Sequence, residues 1–449
     1  MTLFENFTPW TFFVDLGIIS LLFLIGKLCR AKIKFLQELF IPTSLIAGVL
    51  GLTFGPNGLG WLPLSDQTGT YAAILIALVF AALPFSSSNA PLKEIVRTTG
   101  PMWAFAQLGM LLQWGLVGLF GFFVIGSIWP DLHDAFGIMF PVGCYGGHGT
   151  AAAIGDSFEQ FHWGEARSLG MMTATVGIIC GIIGGLFFIK RATRQKQTAF
   201  ITDFNDLPNE LRDGLVPAEK RDSIGEATTS SISIDSLTLH FALVSVAAML
   251  GYFCSRGIKV YYPMLELPVF SCAFVCGLLL KRVLDITRAS NYICPQTTQR
   301  FGSMFTDLLV AFGVASIQLS VIVKYALPLL LLIVVGVMIV ICITFYFGRR
   351  LSRNYWFERT IFAWGWWTGT MAIGIALLRI VDPKLSSKTM EDYALAYLPI
   401  APLEIILITF TPMMFVNGWG GWWLGGCLAL AAITILIAWR MRWFVKVKK

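Results

Sequence analysis

Charge is what this sequence has least of. Only 13% of its 449 residues are Asp, Glu, Lys or Arg, about half the roughly 25% usual in soluble domains. With 56% hydrophobic residues and a mean hydropathy of +0.72, it lacks the polar surface that a water-soluble fold needs. Histidine is scarce, at four residues, and the nine cysteines are scattered through apolar stretches. Cys272 and Cys276 lie one helical turn apart without a His or carboxylate partner, so no transition-metal centre is expected. No acid pair, His-Glu-x-x-His run or Ser/Lys arrangement stands at usable spacing, which argues against an enzyme and against a cofactor. A cleavable signal peptide is not expected either, since the apolar run Phe12 to Leu28 leads into Arg30, Lys32 and Lys34 with no small-residue cleavage site. The net charge of +7 sits in short clusters between apolar runs, a mark of membrane topology and not of a nucleic-acid-binding face.

Long apolar runs are what the chain does have. Segments able to enter a bilayer fall at about 11–29, 40–55, 69–86, 101–128, 136–155 and 168–189. Beyond a polar stretch come about 237–254, 263–280, 303–322, 325–348, 360–380, 394–416 and 420–439. Two of these, 136–155 and 360–380, are rich in Gly and Thr and broken near the middle. They read as re-entrant segments, tolerated at membrane depth only where protein or a water-filled cavity covers their backbone. With both re-entrant and the N-terminus outside, about 29 of the 33 Lys and Arg fall on the inside, including the tail after Arg440. Only Arg167, Arg256, Lys259 and Lys324 stay outside. Treating both broken segments as full spans would move Lys190, Arg191 and Arg194 outside.

An internal repeat agrees with this count. Pro42 and Gly51 match Pro268 and Gly277, Pro101 matches Pro328 as the opening of a span, and His148-Gly149-Thr150 matches Thr368-Gly369-Thr370. Each half has an odd number of full spans, so the second enters the membrane upside down. The expected fold is an all-α polytopic membrane protein: two inverted repeats of five transmembrane helices, each with a re-entrant hairpin, plus one extra C-terminal helix. The expected domains are a first repeat over 1–190, a cytoplasmic linker over 191–236, a second repeat over 237–417, and a final helix with a basic cytoplasmic tail over 418–449. The linker mixes both charges with Ser and Thr and cannot bury a core of its own.

The sharpest local feature is Gly143-Cys144-Tyr145-Gly146-Gly147-His148-Gly149-Thr150. Four glycines in seven residues break a membrane helix and let a ligand approach the backbone. Thr150 is expected to open an Ala-rich half-helix whose free N–H groups face the midplane. Two such N-termini meeting at the repeat interface suit a small anionic solute, with hydroxyls and carbonyls left for a cation. The solute-binding candidates are therefore Tyr145, Gly146, Gly147, His148, Gly149 and Thr150 with Trp367, Thr368, Gly369 and Thr370. For His148, a fixed neutral ring, a direct ligand and a proton carrier all stay open.

Ionisable residues at bilayer depth are functional candidates by default. Asp15 and Glu266 sit near span ends, where snorkelling accounts for them; Asp307 and Glu404 lie deeper. Cation-binding candidates are Asp307 and Glu404, the run Ser87, Ser88 and Asn89, its counterpart Gln318, and Thr173 with Thr175.

Four stretches carry a resemblance to a known family: Phe35 to Pro42, Gly146-Gly-His-Gly-Thr-Ala-Ala-Ala153, Ala174 to Gly185, and Glu266 to Gly277. In these the chain resembles the bacterial sodium/glutamate symporters. The resemblance implies a homodimer in the bacterial inner membrane, paired re-entrant hairpins, and sodium-coupled uptake of glutamate or a related carboxylate by an elevator-like movement. Sodium would then be the only metal ion involved. The second half departs from the family pattern: Trp364, Trp366 and Trp367 stand where small residues are usual, and an expected Asp and Asn have no counterpart around Leu403 to Thr411. The residues alone leave a proton-coupled or exchange carrier for another organic anion open, since His148 permits it.

Overall fold

The computed structural model describes residues 7–38, 41–86, 92–200, 218–221, 223–261, 267–352, 354–382 and 385–445, and every element among them is helical. The first half runs α1 (Pro9–Lys32), α2 (Thr43–Phe54), α3 (Thr68–Ser86) and α4 (Leu92–Leu112). Helix α4 continues through two π-wound stretches, Gln113–Val117 and Phe120–Ile125, to Ile128. Then follow α5 (Met139–Cys144), entered by a 3₁₀ turn, α6 (Gly147–Gln160) and α7 (Glu165–Arg194). The second half runs α8 (Ser236–Tyr261), α9 (Val269–Ile286), α10 (Pro295–Ala315), α11 (Ala326–Leu351), α12 (Trp356–Thr368), α13 (Met371–Val381), α14 (Thr389–Tyr397) and α15 (Ile400–Val416). Helix α16 (Gly420–Arg440) closes the chain. Among the described residues, seven helices are long and apolar enough to cross a membrane: α1, α3, the Thr99–Ile128 part of α4, α7, α8, α11 and α16. The chain is thus an all-α polytopic membrane protein. Pro101 lies inside α4 and does not open it, because the helix already begins at Leu92.

The helices form two compact units, each drawn from both halves of the chain. One holds most of α1, with α2, α3, α8, α9 and α10. Its contacts are reciprocal: Gly51 of α2 lies under Ala315 of α10, and Gly277 of α9 lies under Ala81 and Pro84 of α3. Small residues let membrane helices approach this closely. Asp15 corrects an expectation here. It does not snorkel to a membrane edge but is buried at 1% exposure, accepting from the Ser65 backbone N–H (2.9 Å), the Ser65 hydroxyl (2.5 Å) and the Tyr71 hydroxyl (2.9 Å). Three donors make a carboxylate tolerable there. His240 plays a similar part, its Nδ1 2.6 Å from the Ser236 carbonyl while its Nε2 accepts from Cys294 N–H. Glu266 lies outside the described residues.

The second unit holds α4 to α7 and α11 to α16. Both broken segments belong to it, and both fold back on themselves. His133, just before the first, stacks flat on Trp163, just after it, with ring centroids 4.1 Å apart. Burial keeps the His133 pKa below its ordinary value, and the neutral Nδ1 accepts from Ala135 N–H to cap the entry turn. In the second segment, a side chain on Gly374 of α13 would strike the Phe362 carbonyl of α12, so the two arms touch along their backbones. Arg167 of α7 pairs with Asp156 and Glu159 of α6, and Arg359 of α12 pairs with Asp392 of α14. The start of the linker docks on α12, where Ala199 N–H donates to the buried Glu358 carboxylate (2.7 Å).

Replacing Asp15 by Ala strands the Ser65 and Tyr71 donors in a buried site, at a cost of about 2–3 kcal/mol. Thermal unfolding of the purified protein is expected to show a clearly lowered midpoint for Asp15→Ala; an unchanged midpoint would count against this network.

Candidate functional site

The first hairpin turns at Tyr145–Gly146, between α5 and α6. Gly147 takes φ +67°, a left-handed conformation that costs a side-chain-bearing residue about 1–2 kcal/mol. Helix α6 begins at this glycine, so the half-helix starts before Thr150, where the sequence placed it. His148 is buried at 2% exposure, its Nε2 3.1 Å from the Thr175 hydroxyl. That hydroxyl donates its own proton to the Met171 carbonyl (2.9 Å), so it accepts from His148 and fixes the Nε2–H tautomer. The lone pair then sits on Nδ1, which has no hydrogen-bond partner among the described residues. A fixed ring and a free acceptor thus occur together at this position.

The second hairpin turns at Gly369–Thr370, where the Thr370 hydroxyl caps α13 by accepting from Ile373 N–H (3.4 Å). Its three indoles leave in three directions. Trp364 donates to the Gly181 carbonyl (2.9 Å) and lies over Gly184, both of α7. Trp367, fully buried, lies over Gly109 of α4 with its ring centroid 4.8 Å from Phe105. Both are knobs set over glycines of neighbouring helices, and the Trp367 indole N–H is left without a hydrogen-bond partner among the described residues. Only Trp366 faces the other hairpin, with its ring 5.1 Å from Tyr145.

The two tips meet. A Cβ built on Gly147 would lie 3.6 Å from the Gly369 carbonyl oxygen and 3.7 Å from the Thr370 methyl. Both hairpins rest on α7: a Cβ on Gly177 would come within 2.2 Å of the Thr368 carbonyl and 2.9 Å of the Cys144 sulfur. Beside the tips stands an aromatic group. Trp366 contacts Tyr393 (4.5 Å) and Tyr397 (5.9 Å), and the Tyr397 hydroxyl donates to the Glu404 carboxylate (2.7 Å). No Lys or Arg pairs with Glu404 among the described residues, and the buried Tyr145 and Tyr393 hydroxyls have no hydrogen-bond partner there.

The structure therefore brings together Tyr145 to Thr150, Trp367 to Thr370 and Thr175, and sets Glu404 beside them through Tyr397 and Trp366. Thr173 spends its proton on the Met139 (2.7 Å) and Gly170 (2.9 Å) carbonyls, tying α5 to α7. Gln318 is exposed, and its backbone N–H donates to the Ser168 hydroxyl. Asp307 belongs to the unit without hairpins, near the Ser44 hydroxyl. Ser87, Ser88 and Asn89 lie outside the described residues. Sequence reasoning missed Tyr393 and Tyr397, which read as interfacial tyrosines, and Gln107 and Gln113, two amides in an otherwise apolar span that could have been flagged. A cavity of ≈ 240 Å³ is lined by Phe122, Ser127, His133 and Asp134 among others, and no tip residue lines it.

The sodium/glutamate symporter family matches residues 12–366, well over half of the chain. The match ends inside the second hairpin, so Trp367 to Thr370 and the Tyr393, Tyr397 and Glu404 group lie beyond it. No curated protein matches the chain.

Gly177→Val would push Thr368 and the second tip off α7, since the clash is with backbone and no rotamer relieves it. A displacement of that order is expected to cut solute uptake to roughly a tenth or less. Gly257→Val, where a side chain meets open space, is the control expected to transport normally. Equal uptake by both variants would count against the packing described.

Proposed function

The chain belongs to the sodium/glutamate symporter family, and from that premise we propose that it imports glutamate, or a related acidic amino acid or carboxylate, together with sodium. The observation that carries this reading is the meeting of two hairpin tips in one compact unit, Gly147 against Gly369 and Thr370. Each tip offers the first turn and the positive end of a helix to an anion. The free His148 Nδ1, the Thr175 and Thr370 hydroxyls and the Glu404 carboxylate offer electron pairs to a cation or to the solute's ammonium group.

In this reading both hairpins are re-entrant and the unit that bears them is the moving body of an elevator-like cycle. The unit of α1–α3 and α8–α10 is the static scaffold of a homodimer in the bacterial inner membrane, with the N-terminus outside and the C-terminus in the cytoplasm. The chain divides into repeats over 1–190 and 237–417, the linker 191–236 and the added helix and tail 418–449. Sodium takes oxygen ligands from those candidates that lie in the same unit as the tips and beside them, Thr175 and Glu404. The energetics demand such an ion: moving one negative charge into a cell costs about 2.3 kcal/mol per 100 mV, and a tenfold uphill gradient adds about 1.4 kcal/mol. Two or more cations per anion reverse the sign of the electrical term.

A second reading, a proton-coupled or exchange carrier for another organic anion, is favoured by one observation. Glu404 and Tyr397 pair an acid with a hydroxyl, without a basic partner among the described residues, beyond the stretch that the family matches.

Proteoliposomes separate the two. An inward sodium gradient is expected to drive accumulation of labelled glutamate, aspartate or a simple dicarboxylate above equilibrium. Failure with all of them refutes sodium-coupled carboxylate import, and accumulation driven by a pH gradient without sodium establishes the second reading.

A further inference from the structure

Helix α4 carries a polar group that nothing above employs. Gln113 is 0% exposed, and neither its amide oxygen nor its nitrogen has a hydrogen-bond partner among the described residues. A buried amide unpaired at both ends is costly and rare, so it calls for a ligand. Gln113 also opens the first π-wound stretch, and π turns inside α-helices concentrate at functional sites.

The neighbours fix which way it faces. Gly115 and Gly118 are pressed against Leu428 and Leu424 of α16, so that side of α4 is closed. Gln113 lies in the same row as Gly109 and Phe105, one and two turns back along the α-wound part of the helix. Both of those residues pack on the indole of Trp367. The π-wound stretch itself packs mainly on α16 and α11, and also touches α5, the first arm of the other hairpin. Gln113 therefore stands where the arm of one hairpin and the tip of the other flank α4. The Trp367 indole N–H is likewise buried and without a partner among the described residues.

We infer that Gln113 is a solute-recognition residue, its amide N–H and the Trp367 indole N–H donating to the carboxylate of the transported solute. This rests on the reading that the solute is a carboxylate. Neutral donors suit a carrier: they hold an anion without a fixed positive charge that would slow its release or pair with Glu404. The Gln113 amide oxygen is left to accept from an ammonium group, which separates an amino acid from a simple dicarboxylate.

The test uses the full-length protein, with glutamate, aspartate and succinate as probes at saturating sodium. Solute-dependent thermal stabilisation and the concentration dependence of uptake are measured for wild type, Gln113→Met and Trp367→Phe. Methionine keeps the length of Gln113 but has no donor. It removes an unpaired buried amide, so without solute Gln113→Met is expected to melt at or above the wild-type midpoint. Its apparent affinity for the transported solute is expected to fall roughly tenfold or more, as a rise in KM with little change in kcat. Trp367→Phe keeps a ring over Gly109 without the N–H and is expected to weaken affinity in the same direction; it carries the test if Gln113→Met does not fold. An unchanged KM in both variants, or a lowered midpoint with unchanged KM, overturns the assignment and leaves carboxylate import standing. A wild type that none of the probes stabilises overturns both.

Discussion

Both broken segments depend on one neighbour, helix α7, which meets them at backbone distance. Its row of small residues lets them lie this close. Gly177 admits the Thr368 carbonyl, Gly181 receives the Trp364 indole N–H, and Thr173 and Thr175 reach the Met139 carbonyl and His148. Left unpaired in a buried site, the Trp364 N–H and the Met139 carbonyl would each cost about 1–3 kcal/mol. The hairpins and their seat are therefore one structural object.

The second constraint is reciprocity between the halves. Trp367 sits over Gly109 of α4, and Phe140 sits over Gly336 of α11. Gly336 follows Gly109, and Trp367 follows Phe140, by the same 227 residues. Each hairpin is thus wedged onto the long helix of the other half by one large ring over one glycine. Removing a buried ring of this size typically costs about 3–5 kcal/mol. The tips are held in common, and a change in one hairpin is felt at the other.

Much of this was legible in the sequence, and the failures have physical causes. The breaks at Gly146 and Gly369 follow from glycine clusters that no membrane helix sustains, and the long apolar runs fixed the fold class. Asp15 was misplaced because its partners, Ser65 and Tyr71, come from 50 or more residues away, and spacing along one helix cannot reveal them. Trp364 and Trp367 stood out only as departures from the family pattern because their glycine sockets, Gly184 and Gly109, lie on other helices. Tyr393 and Tyr397 escaped notice because tyrosine near a span end is ordinary at an interface. Only the packing of α14 against α4, α12 and α15 turns them inward.

The account stands or falls on both broken segments returning to the side from which they came. Single cysteines at Asp131 and His162 flank the first hairpin, and at Tyr355 and Ser386 the second; all four positions are exposed. In a background freed of the nine native cysteines, a membrane-impermeant thiol reagent is applied from each face in turn. The first pair is expected to label together from one face, and the second pair together from the other. If the two cysteines of either pair label from opposite faces, that segment crosses the membrane and the paired-tip site does not exist.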